Sequence, residues 1–247
     1  MVSATAFAFA ALVAVTSALP AAPCATPTLP VNPSGTQLSA PDAGLVLKKI
    51  AIGHGIQNYT CTDSAPATIA AATGALAILY DVTSLFPGTL RTGLSNATWN
   101  DFPKNLLHGK PVPLNLINKN TGYGATASPF PRAADLTLGN IRASFLGHHY
   151  FDQFGSPTFE LLTVNLKASL KKLEGFNAPA TADKGILNTG AVQWLKLIDN
   201  GKGFNKGLTT VYRVVTAGGA AEACSKIGPG VVDSVPYTTY YWFYGPK

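Results

Sequence analysis

The final strand-like run of the chain, Tyr237-Thr238-Thr239-Tyr240-Tyr241-Trp242-Phe243-Tyr244, carries six aromatic residues in eight positions. Successive side chains of an extended strand point to opposite faces. Tyr237, Thr239, Tyr241 and Phe243 therefore share one face, and Thr238, Tyr240, Trp242 and Tyr244 the other. Both faces are large and apolar, and burying one such side chain stabilises by roughly 1.5–3 kcal/mol. The run predicts a central strand covered on both sides, which only a multi-stranded β structure can supply. Packing within the core and between strands is the expected role of these aromatics and of Trp99 and Trp194; a sugar-stacking platform would require them to surface together.

Strand signals also occur at Lys49–Cys61, Ala75–Val82, His148–Phe151, Thr158–Val164, Ala191–Ile198 and Leu208–Thr216. The stretch Leu166–Leu173 reads equally as helix or strand. No regular strand–helix alternation and no internal repeat is found, so the expected fold is all-β, mainly an antiparallel sandwich or barrel. Residues 85–146, rich in Pro, Gly and Asn, read as an irregular insertion carrying one or two short helices. The helix candidates are Trp99–Leu107, capped near Asn96 or Thr98, and Leu136–Leu146. Residues 48–247 then form a single domain, preceded by an extended Pro/Ala/Ser/Thr-rich leader over 19–47.

The first charged residue is Asp42. An apolar run from Ala6 to Val15, followed by Thr16-Ser17-Ala18, reads as a signal peptide over residues 1–18, although it has no basic residue before it. Export to the extracellular space is expected. The sequons at Asn58 and Asn96 agree with it. Three cysteines, Cys24, Cys61 and Cys224, without metal-ligand spacing predict one disulfide and one leftover thiol. Three pairings are open; the preferred one, Cys61 with Cys224, closes a very long loop, and such a crosslink stabilises by about 4–5 kcal/mol at most. No later segment is apolar enough for a membrane span.

The net charge is +6, with Lys167, Lys171, Lys172, Lys196, Lys202 and Lys206 in the second half. These read as scattered solvated lysines, and no nucleic-acid motif accompanies them. The segment Gly201-Lys202-Gly203-Phe204-Asn205-Lys206-Gly207 comes near a dinucleotide loop, but its third glycine is one position late and a β-branched run follows. It reads as a hairpin loop, and no cofactor is expected. Serine-hydrolase, zincin and NTPase motifs are absent. On a strand His148 and His149 point to opposite faces, so they cannot easily hold one metal; a site from His54, His148 and Asp152 is conceivable, but structural histidines are the simpler expectation and none is assigned as a ligand.

Six segments taken together resemble the domain-of-unknown-function 3455 family, secreted or surface proteins of fungi and bacteria. They are GIQNYTC (Gly55–Cys61), ALAILYD (Ala75–Asp81), GHHYFDQFGSPTF (Gly147–Phe159), QWLKL (Gln193–Leu197), VYRVVTAGGAAEAC (Val211–Cys224) and YTTYYWFY (Tyr237–Tyr244). Their order and spacing carry the likeness, and the region from Leu85 to Asn140 matches poorly. The resemblance implies a Cys61–Cys224 disulfide and selects Gln57, His149, Trp194 and Arg213 as the pattern's polar or amphipathic residues. It supplies no activity; the malate dehydrogenase label attached to some fungal members finds no dinucleotide turn here. The function expected is non-enzymatic binding of a glycan, wall component or host molecule. The alternatives are an extracellular enzyme using His149 as base beside Gln57 and Arg213, and a scaffold that meets a partner through the insertion.

Overall fold

The structure is a computed structural model that describes residues 1–2, 26–33, 35–89, 91–117 and 122–247. The expected signal peptide, beyond its first two residues, and Cys24 lie outside the described residues. Nine strands occur among them: β1 (Leu45–Thr60), β2 (Ala71–Asp81), β3 (Leu136–Leu138), β4 (Ile141–Phe151), β5 (Pro157–Leu161), β6 (Leu166–Phe176), β7 (Trp194–Asp199), β8 (Thr210–Gly218) and β9 (Val232–Pro246). Helix α1 spans Asn96–Gly109 and the single turn α2 spans Cys224–Ile227. No described helix is long and apolar enough to cross a membrane.

Neighbouring strands pair antiparallel in the order β2-β1-β9-β8-β7-β6-β5-β4-β3. A further pairing of β2 with β4, Ala77 to His149 and Ile78 to His148, joins the ends of this row. Eight strands thus close on themselves in an up-and-down barrel, with β3 as a short flap on β4. Sequence patterning could not separate sandwich from barrel; this pairing does. The stretch left ambiguous, 166–173, is strand β6, and the glycine loop 201–207 joins β7 to β8 with Gly201, Gly203 and Gly207 at positive φ.

One helix candidate is corrected. Leu136–Leu146 forms the β3–β4 hairpin, because Gly139 takes a left-handed conformation (φ 57°) and the residues around it pair across the turn, Leu138 with Ile141 and Leu136 with Ala143. Among the described residues the insertion therefore holds one α-helix, α1, and the second short helix, α2, lies outside it. The leader also ends earlier than expected: Leu45–Leu47 already pair with β9.

Closure sorts side chains into lumen and exterior. Ala51, Ala77, Leu79, Phe159, Leu170, Tyr241 and Phe243 pack inside. Ile50, Ile52, Tyr80, Tyr212, Tyr240 and Trp242 pack outside, beneath α1 and the chain around it. β9 is buried on both faces, as its aromatic run requires. The barrel also curls tightly where β1 carries glycine: a Cβ on Gly53 would come within 2.5 Å of the Tyr241 ring, and one on Gly55 within 1.9 Å of the Leu76 carbonyl.

Helix α1 begins at Ser95, whose Oγ accepts from the Thr98 N–H at 3.1 Å. Its buried face, Trp99, Phe102, Leu106 and Leu107, lies across β8 and β9. Pro103 within the helix has no N–H, which leaves the Trp99 carbonyl without its helical partner. The Tyr240 hydroxyl donates to that carbonyl at 2.8 Å, and the Trp99 and Tyr240 rings stack at 4.2 Å. One tyrosine of the final strand thus repairs the helix and anchors it. Replacing Tyr240 with Phe keeps the stacking and orphans a buried carbonyl, so unfolding in denaturant should show a loss of about 1–3 kcal/mol; an unchanged midpoint would contradict this role.

Candidate functional site

The lumen is packed at one end only. Phe243, Leu170, Leu161, Leu208 and Val211 are essentially fully buried and close the end where β1 starts and β9 finishes. At the other end a cavity of about 830 Å³ opens among the later residues of β1, β4, β6 and β8 and the first residues of β2, β5 and β7. Its volume lies within the ~300–1,000 Å³ common for small-molecule sites, and such sites favour the mouths of barrels. Phe151, Phe159, Val192, Leu195 and Leu197 supply apolar wall.

Three of the four residues selected from sequence meet here: Gln57, His149 and Arg213 all line this cavity. Trp194 does not. Period-two alternation along β7 sends Gln193 and Leu195 to the cavity and Trp194 to the outer core, where it is buried. Trp99 and Trp242 join it in that outer core, so the three tryptophans form no exposed platform.

Gln57 is buried; its Nε2 donates to the Gly74 carbonyl at 2.6 Å, and its Oε1 faces Arg213 Nη1 at 3.4 Å. Arg213 Nε donates to the Gln193 carbonyl at 3.0 Å. Just beyond Arg213, β8 bulges between Val214 and Ala217, with Val215 at φ 51°, a region that β-branched residues rarely enter. Bulges of this kind bend a strand and re-aim its side chains.

His149 stacks on Phe159 at 4.0 Å and sets its edge toward Tyr241. Its Nδ1 lies 2.9 Å from the Thr158 carbonyl, so Nδ1 carries the proton and Nε2 remains an acceptor. Burial pushes its pKa down to about 3, so it is neutral near pH 7. The Tyr241 and Tyr237 hydroxyls share a hydrogen bond at 2.9 Å, and burial raises both phenols, keeping them neutral. The Tyr59 hydroxyl, also lining the cavity and pushed up to about 12 by burial, donates to the Gly219 carbonyl at 2.6 Å.

The rim includes Ala220–Ala223, between β8 and α2. Cys61 and Cys224 form a disulfide that ties this segment to the end of β1. Lys172, also at the cavity, donates to Gln193 Oε1 at 3.0 Å. Lys196 departs from the solvated reading: it is 2% exposed, and its ammonium donates to Ser39 Oγ, the Ala40 carbonyl and Asp42 beneath the leader. His54 and His148 lie on the exterior face, one on each side of Ile78, while Asp152 accepts the backbone N–H groups of Phe154 and Ser156; the three do not converge. Asn96 is exposed at the start of α1, whereas Asn58 is half-buried in β1 and accepts from Ser234.

A family model described as a protein of unknown function (DUF3455) matches residues 41–245. The chain belongs to the DUF3455 family. No curated protein and no solved structure matches it. In this DUF3455 chain the six resembling segments fall on β1, β2, the β4–β5 hairpin, β7, β8 with the rim, and β9, around the cavity, while β6 lies outside them and α1 covers the barrel's exterior. Sequence reasoning missed Lys172, Gln193 and Tyr241 as cavity residues. Alternation held the signal for Tyr241, since it shares a face with Tyr237, but whether that face borders a void depends on the strands opposite.

The buried histidines set the acid response of this DUF3455 protein. Burial pushes His54 and His149 from 6.5 to about 3, so the native state leaves them unprotonated where the unfolded chain binds protons. Stability is therefore full above pH 6.5 and falls as the pH drops toward 3, by about 1.4 kcal/mol per unit for each histidine. Denaturant unfolding at pH 5 should show a loss of about 4 kcal/mol relative to pH 7. His149→Gln should roughly halve that slope, and a flat profile down to pH 5 would contradict the assignment.

Proposed function

We propose that this is an exported, non-enzymatic binding protein whose barrel holds one small, largely apolar molecule in its open half. The observation that carries the reading is the contrast within one lumen: a packed floor beneath a hollow of about 830 Å³. Eight strands give an interior that side chains can just fill or that can hold one small ligand, and here they do half of each. The few polar groups at the hollow's inner wall are fixed by neighbours, which is how binding sites orient a ligand. The ligand is thus of small-molecule size or a short appendage of something larger, a narrower reading than a glycan laid along a surface. Export rests on the disulfide, the apolar N-terminus and the exposed Asn96 sequon.

An enzymatic reading centred on His149 is weaker, although Gln57 and Arg213 stand beside it. An imidazole whose pKa lies near 3 is a poor proton acceptor at neutral pH. Its ring is also fixed by stacking and by the Thr158 carbonyl. This arrangement suits a wall that presents one acceptor. The insertion, for its part, buries Trp99, Phe102, Leu106 and Leu136 against the barrel, so its first role is to cover apolar surface.

Titration with Nile red, a neutral apolar dye, should give saturable binding to a single site. Ala221→Trp on the rim should weaken it by about tenfold or more by occupying the mouth. Phe204→Ala, on the exposed β7–β8 loop, should leave it unchanged. Absence of saturable binding, or equal binding by the Ala221→Trp protein, would contradict the proposal.

A further inference from the structure

We infer that the molecule held in the cup is an anion, an apolar body ending in a carboxylate, with the carboxylate seated on Arg213. This deepens the reading of the barrel as a binding cup and rests on it. The guanidinium offers five N–H donors in a fixed fork and cannot give up its charge. Its partners are the Gln193 carbonyl, Gln57 Oε1 and the Tyr241 hydroxyl, and all three are neutral acceptors that leave part of the fork for a ligand. Among the described residues no carboxylate lies within salt-bridge distance of Arg213.

The second cation of the cavity repeats the pattern. Lys172 rests on Gln193 Oε1, so one glutamine holds both cations, through its backbone carbonyl and its side chain. Among the described residues Glu222 is the single acidic residue of the lining, and Lys226 pairs with it at 2.8 Å. The wall thus carries two positive charges held only by neutral acceptors. The tyrosines and His149 add dipoles but no charge.

Apolar walls lower the local dielectric and strengthen any attraction between Arg213 and an entering anion. A planar carboxylate matches the guanidinium fork and can take two donors at once. A neutral ligand would leave those donors without an anion, and a cation would meet two like charges. An inorganic anion would satisfy Arg213 but leave the surfaces of Phe151, Phe159, Leu195 and Leu197 unfilled. The combination therefore selects an amphipathic acid. Gln57 acts as a positioning residue: its amide is pinned to the Gly74 carbonyl, and its oxygen fixes one arm of the guanidinium.

The test is displacement of bound Nile red from the full-length protein at pH 8 by decanoate, decanol and decylamine. Decanoate should compete best, decanol next and decylamine worst. Arg213→Gln should weaken decanoate by about ten- to a hundredfold, the range for losing a charge-assisted hydrogen bond, and leave decanol unchanged. If the Arg213→Gln protein does not fold, the wild-type ranking of the three chains decides, and Lys172→Gln should lower decanoate affinity by a smaller factor. Equal binding of decanoate and decanol, or a preference for decylamine, would overturn the anion assignment while the cup stands. Failure of Nile red itself to bind would overturn the cup and the anion together.

Discussion

Pairing of β2 with β4 turns a row of strands into a ring, and the rest of the molecule follows from that closure. A closed sheet leaves no unpaired edge around the ring, and it divides every strand into residues that face a lumen and residues that face outward. Both sets need cover. The inner set of the first half packs against itself as a floor. The outer apolar set around β9 is too large for solvent and takes α1, the rest of the insertion and the leader as its lid. β9 serves both, since Tyr241 and Phe243 face the lumen while Tyr240 carries the helix and Trp242 meets Phe86 of the insertion.

The hollow is what remains where the inner set turns small or polar. Glycines at positions 53 and 55 and alanines at 75 and 77 thin the wall formed by β1 and β2, and Tyr241 leans over Gly53. Beside them, Gln57 next to Ala75, His149 next to Ala77, and Arg213 on β8 could not pack as a dry core without stranding polar groups. Each is held by a neighbouring backbone or amide group instead, so the site is formed before any ligand arrives. The Cys61–Cys224 bridge then fixes the rim segment that contributes Ala220–Ala223 to the mouth.

Much of the fold was legible because period-two patterning is local. The two-faced aromatic run predicted a central strand, and the other strand signals marked six more, β1, β2, β4, β5, β7 and β8. Three things were not legible. The Leu136–Leu146 segment is apolar enough to suit either periodicity, and only Gly139 and the pairing partner decide for a hairpin. Closure depends on contacts between β2 and β4, separated by the whole insertion, which no local pattern encodes. The site was half visible: Gln57, His149 and Arg213 come from three distant segments, and only the ring brings them to one wall. Trp194, chosen beside them, faces outward because its neighbours Gln193 and Leu195 take the lumen. Lys196 looked solvated, but the leader folds back over it and supplies oxygen acceptors.

The most direct test of the central claim, that the open half of the barrel is a binding cup above a packed floor, is methyl NMR of the protein with and without a bound apolar ligand. The structure predicts shifts at Val192, Leu195 and Leu197, which line the hollow, and little change at Leu161 and Leu170 in the floor. Shifts confined to exterior residues such as Leu162 and Leu173, or spread evenly over floor and hollow, would contradict it.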